Sequence, residues 1–263
     1  MLRMLRFASD KLQDIKNIPA CTIVFSDNHK MMDMIERRKL KPKLTSVLYY
    51  HHITDIKTHI FKKTPEFWNK SKLKVRKAVD SDINSLMQLQ ASVEKGDYQS
   101  YIEYDNLNSN SHYHGINISN FYVALQNEEI VGCIGYWDTR EFKQTVVNSY
   151  SALYTLFRPF YNTIAARIFQ FPPLPDPGEK LNTISIHSII IKNRRPEIFK
   201  KLLYHISKDI DSTLMCSIDS RDPLSRVFNT LFSKFSKDGK FYLVNYGEDL
   251  NNYKEGYINI DAA

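Results

Sequence analysis

Eight histidines, three cysteines and eight glycines are the residues of this 263-residue chain whose spacing speaks most directly to chemistry. His51-His52 and His112-Tyr113-His114 are its close histidine pairs. A bound metal needs several Cys, His or carboxylate ligands converging on one point. Neither pair has Cys or carboxylate partners at metal spacing, so both read as surface or loop histidines and no metal is expected. Cys21, Cys133 and Cys216 lie far apart without a CxxC motif, which points to a reduced compartment. No Ser-His-Asp arrangement can be drawn. The glycines, at 96, 115, 132, 135, 178, 239, 247 and 256, amount to less than half the ~7% of average usage. Neither GxGxxG nor GxxxxGK passes through them, which excludes dinucleotide and P-loop readings.

The composition frames these residues. Hydrophobic residues at 43% and charged residues at 25% are globular values. The net charge of +7 permits an anionic partner, but acidic residues are mixed among the basic ones. No nucleic-acid partner is expected on that pattern. The start, Met1 to Phe7, alternates apolar and basic residues and meets Asp10 before any signal-type run develops. No stretch approaches the roughly 18 apolar residues of a membrane span. A cytoplasmic protein is expected.

The elements that must position any site follow from periodicity. Residues 1–60 read as helix, strand (Cys21 to Phe25), helix and strand (Leu44 to Tyr50). Residues 61–72 have linker composition with aromatic anchors, and a new unit fills 73–263. It opens with a short strand, Leu73 to Arg76, and a helix capped by Asp80-Ser81-Asp82. Phe121 to Leu125 and Ile130 to Tyr136 form a hairpin around Asn127-Glu128. Apolar positions from Phe142 to Ile168 recur at three or four, predicting one or two amphipathic helices broken near Pro159. That stripe, with Arg158 and Arg167 beside it, fits its own sheet, a missing domain, another partner or a membrane surface. Strand (Thr183 to Ile191), helix (Glu197 to Ile210), strand (Leu214 to Ile218), helix (Asp222 to Phe235) and two strands (Phe241 to Asn245, Gly256 to Ile260) complete the chain.

Two segments repeat in element type. Cys21 to Asn28 and Leu214 to Asp222 are each a strand ending in a polar helix cap. The order in 73–263, with Lys74-Val-Arg-Lys-Ala-Val-Asp-Ser-Asp-Ile83 at its start and the hairpin Phe121 to Tyr136, resembles the GNAT (Gcn5-related) N-acetyltransferases. Trp137 to Val147 and Pro172 to Gly178 are similar to a bacterial subgroup with two GNAT domains in tandem. Residues 1–60 then look like the back half of a preceding domain. The implied fold is α/β (α+β): a mixed, mostly antiparallel sheet flanked by helices, behind a partial repeat. Self-association, or contact with a missing first domain, is a further expectation.

The resemblance also implies a site. Acetyl-CoA or another acyl-CoA binds in that family where the fourth and fifth strands splay, and the acyl group passes to a small-molecule or peptide amine. The fourth-strand backbone, here Ile189, Ile190 and Ile191, pairs with the pantetheine arm. A glycine-containing loop at the next helix start wraps the pyrophosphate, because free N–H groups and a positive dipole end meet there. In this chain the loop is Lys192-Asn-Arg-Arg-Pro-Glu-Ile-Phe199, with Arg195, Glu197 and Phe199 at the glycine positions. Lys192, Arg194 and Arg195 are left to attract phosphate by charge. The Tyr that serves the family as general acid is replaced by Phe228 or Asn229, and in the repeat Ile35 stands near its position. His187, on the fourth strand with Ser185 on the same face, is the candidate general base; a packed core histidine is the other reading. The family activity, N-acyl transfer with a degenerate CoA loop, stands beside an alternative: an inactive GNAT-like scaffold, interaction or ligand-binding module.

Overall fold

The computed structural model describes residues 20–36, 48–93, 104, 107, 115–141, 146–168, 171–229 and 236–246. The expected first helix (Leu2 to Ile15), His112-Tyr113-His114 and the last strand (Gly256 to Ile260) lie outside them. The strands are β1 (Ala20–Phe25), β2 (Leu48–Phe61), β3 (Lys74–Lys77), β4 (Phe121–Gln126), β5 (Glu129–Trp137), β6 (Thr183–Ile191), β7 (Thr213–Asp219) and β8 (Ser236–Tyr246). The helices are α1 (His29–Glu36), α2 (Ile83–Val93), α3 (Ala152–Phe160) and α4 (Pro196–Asp209).

All eight strands join one sheet in the order β1-β8-β2-β7-β6-β5-β4-β3. Every pairing is antiparallel except β6 with β7. The fold is therefore α/β with a mostly antiparallel sheet, as expected. Residues 20–61 add β1 and β2 to this same sheet, with β8 hydrogen-bonded between them. The segment after β2 lies along α4. Trp68 is buried, the Lys201 ammonium donates to the carbonyls of Asn69 and Ser71 at 2.8 and 2.9 Å, and Tyr204 donates to Glu66 at 2.6 Å.

Each face of the sheet carries a core. On one, α4 sets Ile198, Phe199, Leu202, Leu203 and Ile206 against Ile184, Ile186, Ile189 and Ile191 of β6 and Leu214 and Cys216 of β7. On the other, Leu86 and Leu89 of α2 pack with Phe121, Val123, Cys133 and Ile190. The start of α2 is held by Asp82, which accepts both Arg76 guanidinium nitrogens at 2.5 and 2.9 Å and the Val79 N–H at 2.9 Å. The β4–β5 turn uses left-handed Asn127 and Glu128 (φ 52° and 64°), the two positive φ values of a type I′ hairpin.

Three elements differ from expectation. β2 extends to Phe61 because Thr54, Ile56 and Thr58 alternate inward; two of the three are polar, which hid the strand in the sequence. Asp222 starts a 3-10 helix, Pro223–Asn229, rather than a described α-helix. The third is the insertion between β5 and β6, where the break near Pro159 is as expected but the helical part is shorter and α3 buries no residue in the core. Val146 bridges Lys180, α3 begins only at Ala152, and a π-helical turn, Tyr161–Ala165, follows Pro159 before the last turn, Ala166–Ile168. A proline removes one helical N–H and displaces the backbone, which this wider turn absorbs.

Gly135 on β5 lets a neighbouring ring come close: a Cβ there would lie 2.6 Å from His187 Cε1 and 2.9 Å from Phe121. Gly135→Ala is expected to destabilise the fold by about 1–3 kcal/mol. A lower urea midpoint with unchanged slope is the readout.

Candidate functional site

β6 and β7 pair over four residues, from Thr183 with Thr213 to Ile186 with Cys216, and then separate. β6 continues to Ile191 against β5, and β7 continues to Asp219 against β2. Beyond that point the facing edges of the two strands no longer pair, and this parting is the candidate crevice of the sheet. A bulge in β6 sits at its root. Cys133 opposes Ile190 and Gly135 opposes His187, so β6 carries one extra residue there. Ser188 takes up the insertion in the left-handed region (φ 50°). The extra residue resets the alternation, so Ile184, Ile186, Ile189 and Ile191 all face α4 while His187 and Ile190 face the α2 side.

His187 is 1% exposed, with Phe121 and Trp137 edge-on at 5.4 and 6.4 Å. Its Nδ1 lies 2.8 Å from Ser188 Oγ. Among the described residues Nε2 has no well-formed hydrogen bond, and the Tyr136 backbone beside the ring favours its charged form. Burial dominates and lowers the pKa to about 4, so the ring is neutral. Ile190 and Ile191 pair with Cys133 and Gly132. The Ile189 carbonyl accepts a hydrogen bond from Arg194 Nη1 at 3.0 Å.

The cations of the following loop each meet a carboxylate. Lys192 Nζ is 2.6 Å from Glu129 and Arg195 Nε is 2.7 Å from Glu197, both at the surface. Arg195 Nη1 also donates to Gln126 at 2.9 Å. Arg194 turns inward through left-handed Asn193 and Arg194 (φ 56° and 47°) and reaches Asp222 at 3.2 Å. These two side chains are only 12% and 5% exposed. Asp222 also accepts the Leu224 N–H at 2.8 Å, capping the 3-10 helix. At the start of α4, Pro196 has no N–H to offer. Burial pulls the Glu197 carboxyl up, but its own backbone N–H and Arg195 outweigh that and hold it below the ordinary range. The chain's own carboxylate thus sits at the positive end of the helix.

Further along, Phe228 is buried between Phe199 and His59, stacked on the His59 ring at 4.1 Å. Asp219, fully buried at the end of β7, accepts Thr54 Oγ1 at 2.9 Å and Arg221 Nη2 at 2.8 Å. At the start of α1, Asn28 Oδ1 accepts the Met31 N–H at 3.3 Å, a weak cap. His52 pairs with Asp55 at 3.0 Å, and no group of three metal-binding side chains occurs among the described residues.

No family model and no curated protein matches this chain in sequence. Solved structures do match its backbone. A GCN5-related N-acetyltransferase from Sphaerobacter thermophilus is similar over 95% of this chain and 69% of its own, at 9% identity and a TM-score of 0.52. A functionally unknown conserved protein from Staphylococcus epidermidis is similar over 94% of this chain and 80% of its own, at 9% identity and a TM-score of 0.50. The chain has the GNAT fold.

In GNAT terms β6 and β7 are the fourth and fifth strands, and their separation lies where that fold splays. The sequence missed what closes the opening. Asp222-Pro223 is a readable helix-cap signal, but nothing in the spacing shows that its carboxylate also meets Arg194. The positive φ of Ser188 carried no signal either, since no glycine marks it.

His59 and His187 give the fold a pH dependence. Burial lowers both from 6.5 to about 4, with Lys57 adding to the shift at His59. The unfolded chain therefore takes up protons that the folded chain refuses between those values. Stability is complete above about pH 6.5 and falls as pH drops towards 4, by up to about 3 kcal/mol per ring. Urea midpoints measured from pH 7 to 4.5 should decline, and His187→Gln should make the decline shallower. A flat profile in the parent protein would exclude buried neutral rings.

Proposed function

We propose that this GNAT-fold protein is an N-acyltransferase that uses the β6–β7 crevice to bind an acyl-CoA. The observation that carries this reading is the parting of the two strands after Ile186 and Cys216, with the bulge at Ser188 beside it. An extended pantetheine arm has amide groups that complete an open strand edge, as any added strand does. The Ile189 carbonyl is the acceptor that such an arm would meet. The reaction is transfer of the acyl group to a small-molecule or peptide amine. The amine nitrogen attacks the thioester carbon, the C–N bond forms, the C–S bond breaks, and the departing thiolate takes a proton. A ring with a pKa near 4 drives little proton transfer at neutral pH. The ring is also enclosed by Phe121 and Trp137, so the amine proton leaves through water to bulk solvent, with His187 supporting the bulge through its contacts.

Arg194 must move before the arm can pair with Ile189. Its surface neighbours Lys192 and Arg195 lose little when phosphate replaces their carboxylates, since exposed ion pairs contribute about 0–1 kcal/mol. The Arg194–Asp222 pair is different, because breaking a buried pair leaves a charge without a partner. One observation favours a second reading. The occupied Ile189 carbonyl, together with Phe228 in place of a hydroxyl-bearing acid, suits a non-catalytic module that keeps the fold for binding.

Titration with acetyl-CoA, followed by calorimetry and thermal melting, separates the two. The first reading expects binding and, with an amine acceptor, release of free CoA thiol. Saturation at a hundred times Kd stabilises the fold by about 2.7 kcal/mol. The double variant Arg194→Ala/Asp222→Asn removes both charges and should bind at least as tightly as the parent. No stabilisation of either protein at millimolar acetyl-CoA would end the acyltransferase reading. Binding without thiol release for any amine tested would favour the second.

A further inference from the structure

The helical segment 152–168 exposes a continuous apolar stripe. Leu153, Leu156, Phe157, Phe160, Ile164 and Ile168 are 43% to 76% exposed, and Tyr154 stands beside them. Its polar side is the one turned towards the protein. Arg158 donates to the Leu174 carbonyl at 3.2 Å and pairs with Asp176, and Tyr161 donates to the Pro172 carbonyl at 2.9 Å. Asn162 exchanges two hydrogen bonds with Leu174, at 2.8 and 2.9 Å. The proline-rich loop therefore fastens the helix by its hydrogen-bonding face, with the apolar face outward. No helix among the described residues is long and apolar enough to cross a membrane, and this one lies along the surface.

Charge identifies what covers the stripe. From Phe142 to Pro175 the sequence contains no Asp or Glu, while Lys143, Arg158 and Arg167 fall within it. Arg167 is exposed on the stripe's edge. An acid-free segment with an outward apolar face, ring side chains and a cation suits the headgroup boundary of an anionic bilayer. There the rings and aliphatic chains enter the acyl region and Arg167 extends to the lipid phosphates. A second copy of the chain fits less well. It would bring another acid-free, positively charged stripe, and a segment about 25 Å long and about 10 Å wide is small beside the ~800 Å² that each partner of a standard interface supplies.

We propose that this helical arm is a docking surface for anionic lipid bilayers. It attaches the protein to one leaflet without spanning it.

Flotation with vesicles tests this on the full chain. The protein should float with phosphatidylcholine vesicles carrying phosphatidylserine, more weakly with phosphatidylcholine alone, and less as salt rises. Leu156→Glu/Phe160→Glu changes two exposed side chains, so the melting temperature should hold while vesicle binding falls by about tenfold or more. The Phe157→Trp variant should shift its fluorescence to the blue on adding anionic vesicles. Absence of flotation with anionic vesicles, or emission from the Phe157→Trp variant that they leave unmoved, would overturn the proposal. So would a concentration-dependent dimer in sedimentation that the double glutamate variant abolishes while vesicles leave the parent unbound; a second copy would then cover the stripe.

Discussion

Four residue pairs between β6 and β7 join the two halves of this sheet. On one side stand β1, β8, β2 and β7, and on the other β6, β5, β4 and β3, each half knit by antiparallel ladders. Pairing this short cannot hold the halves in register by itself, so α4 must bridge them. It does so by burying Ile198, Phe199, Leu202, Leu203 and Ile206 in a core fed by both central strands. Burial of such side chains contributes about 1.5–3 kcal/mol each, about twice the net worth of a ladder hydrogen bond. The bulge at Ser188 serves the same arrangement. Without the extra residue, Ile189 and Ile191 would turn away from α4 and His187 would have no place beside Gly135.

The opening that results is stabilised by charge rather than by apolar packing. Arg194 satisfies Ile189 and Asp222 at once, and Asp222 in turn caps the helix that carries Phe228 into the core. The loop that permits this has left-handed Asn193 and Arg194 where glycine would be the unstrained choice. Five described non-glycine residues adopt positive φ in all, at the hairpin turn, the bulge and this loop. The scarcity of glycine is thus not a scarcity of left-handed turns. The chain makes them with side chains attached, and at Arg194 that side chain reaches the Ile189 carbonyl and Asp222.

Much of the architecture was legible in the sequence because it is coded locally. The hairpin 121–137, β6, α4 and β7 are strongly periodic and appear within a residue or two of the expected positions. What escaped is coded between distant residues. β2 hides its buried face in Thr54 and Thr58, which are satisfied by Asp219 and Ser217 of β7, some 160 positions away. The face of His187 follows from alternation with Ile184 and Ile186, but the faces of Ile189, Ile190 and Ile191 depend on a bulge that no residue type announces. The loop cations are legible as charges, but their carboxylate partners come from β5, the start of the 3-10 helix and α4, and pairing across elements leaves no sequence pattern.

The outward stripe follows from how the arm is inserted. β5 and β6 are antiparallel neighbours, so a short turn would connect them, yet 45 residues intervene between Trp137 and Thr183. Closing a longer loop costs only about 0.6 kcal/mol per doubling of length, so sheet stability does not select against the excursion. The arm instead stabilises itself through Tyr150, Arg158, Tyr161 and Asn162 on the proline loop, and those contacts use up its polar face. An arm fastened in this way has only its apolar face left to present. It leaves the sheet at the start of β6, whereas the crevice opens beyond Ile186, towards the other end of that strand. Contact at the stripe and occupancy of the crevice therefore act through different residues.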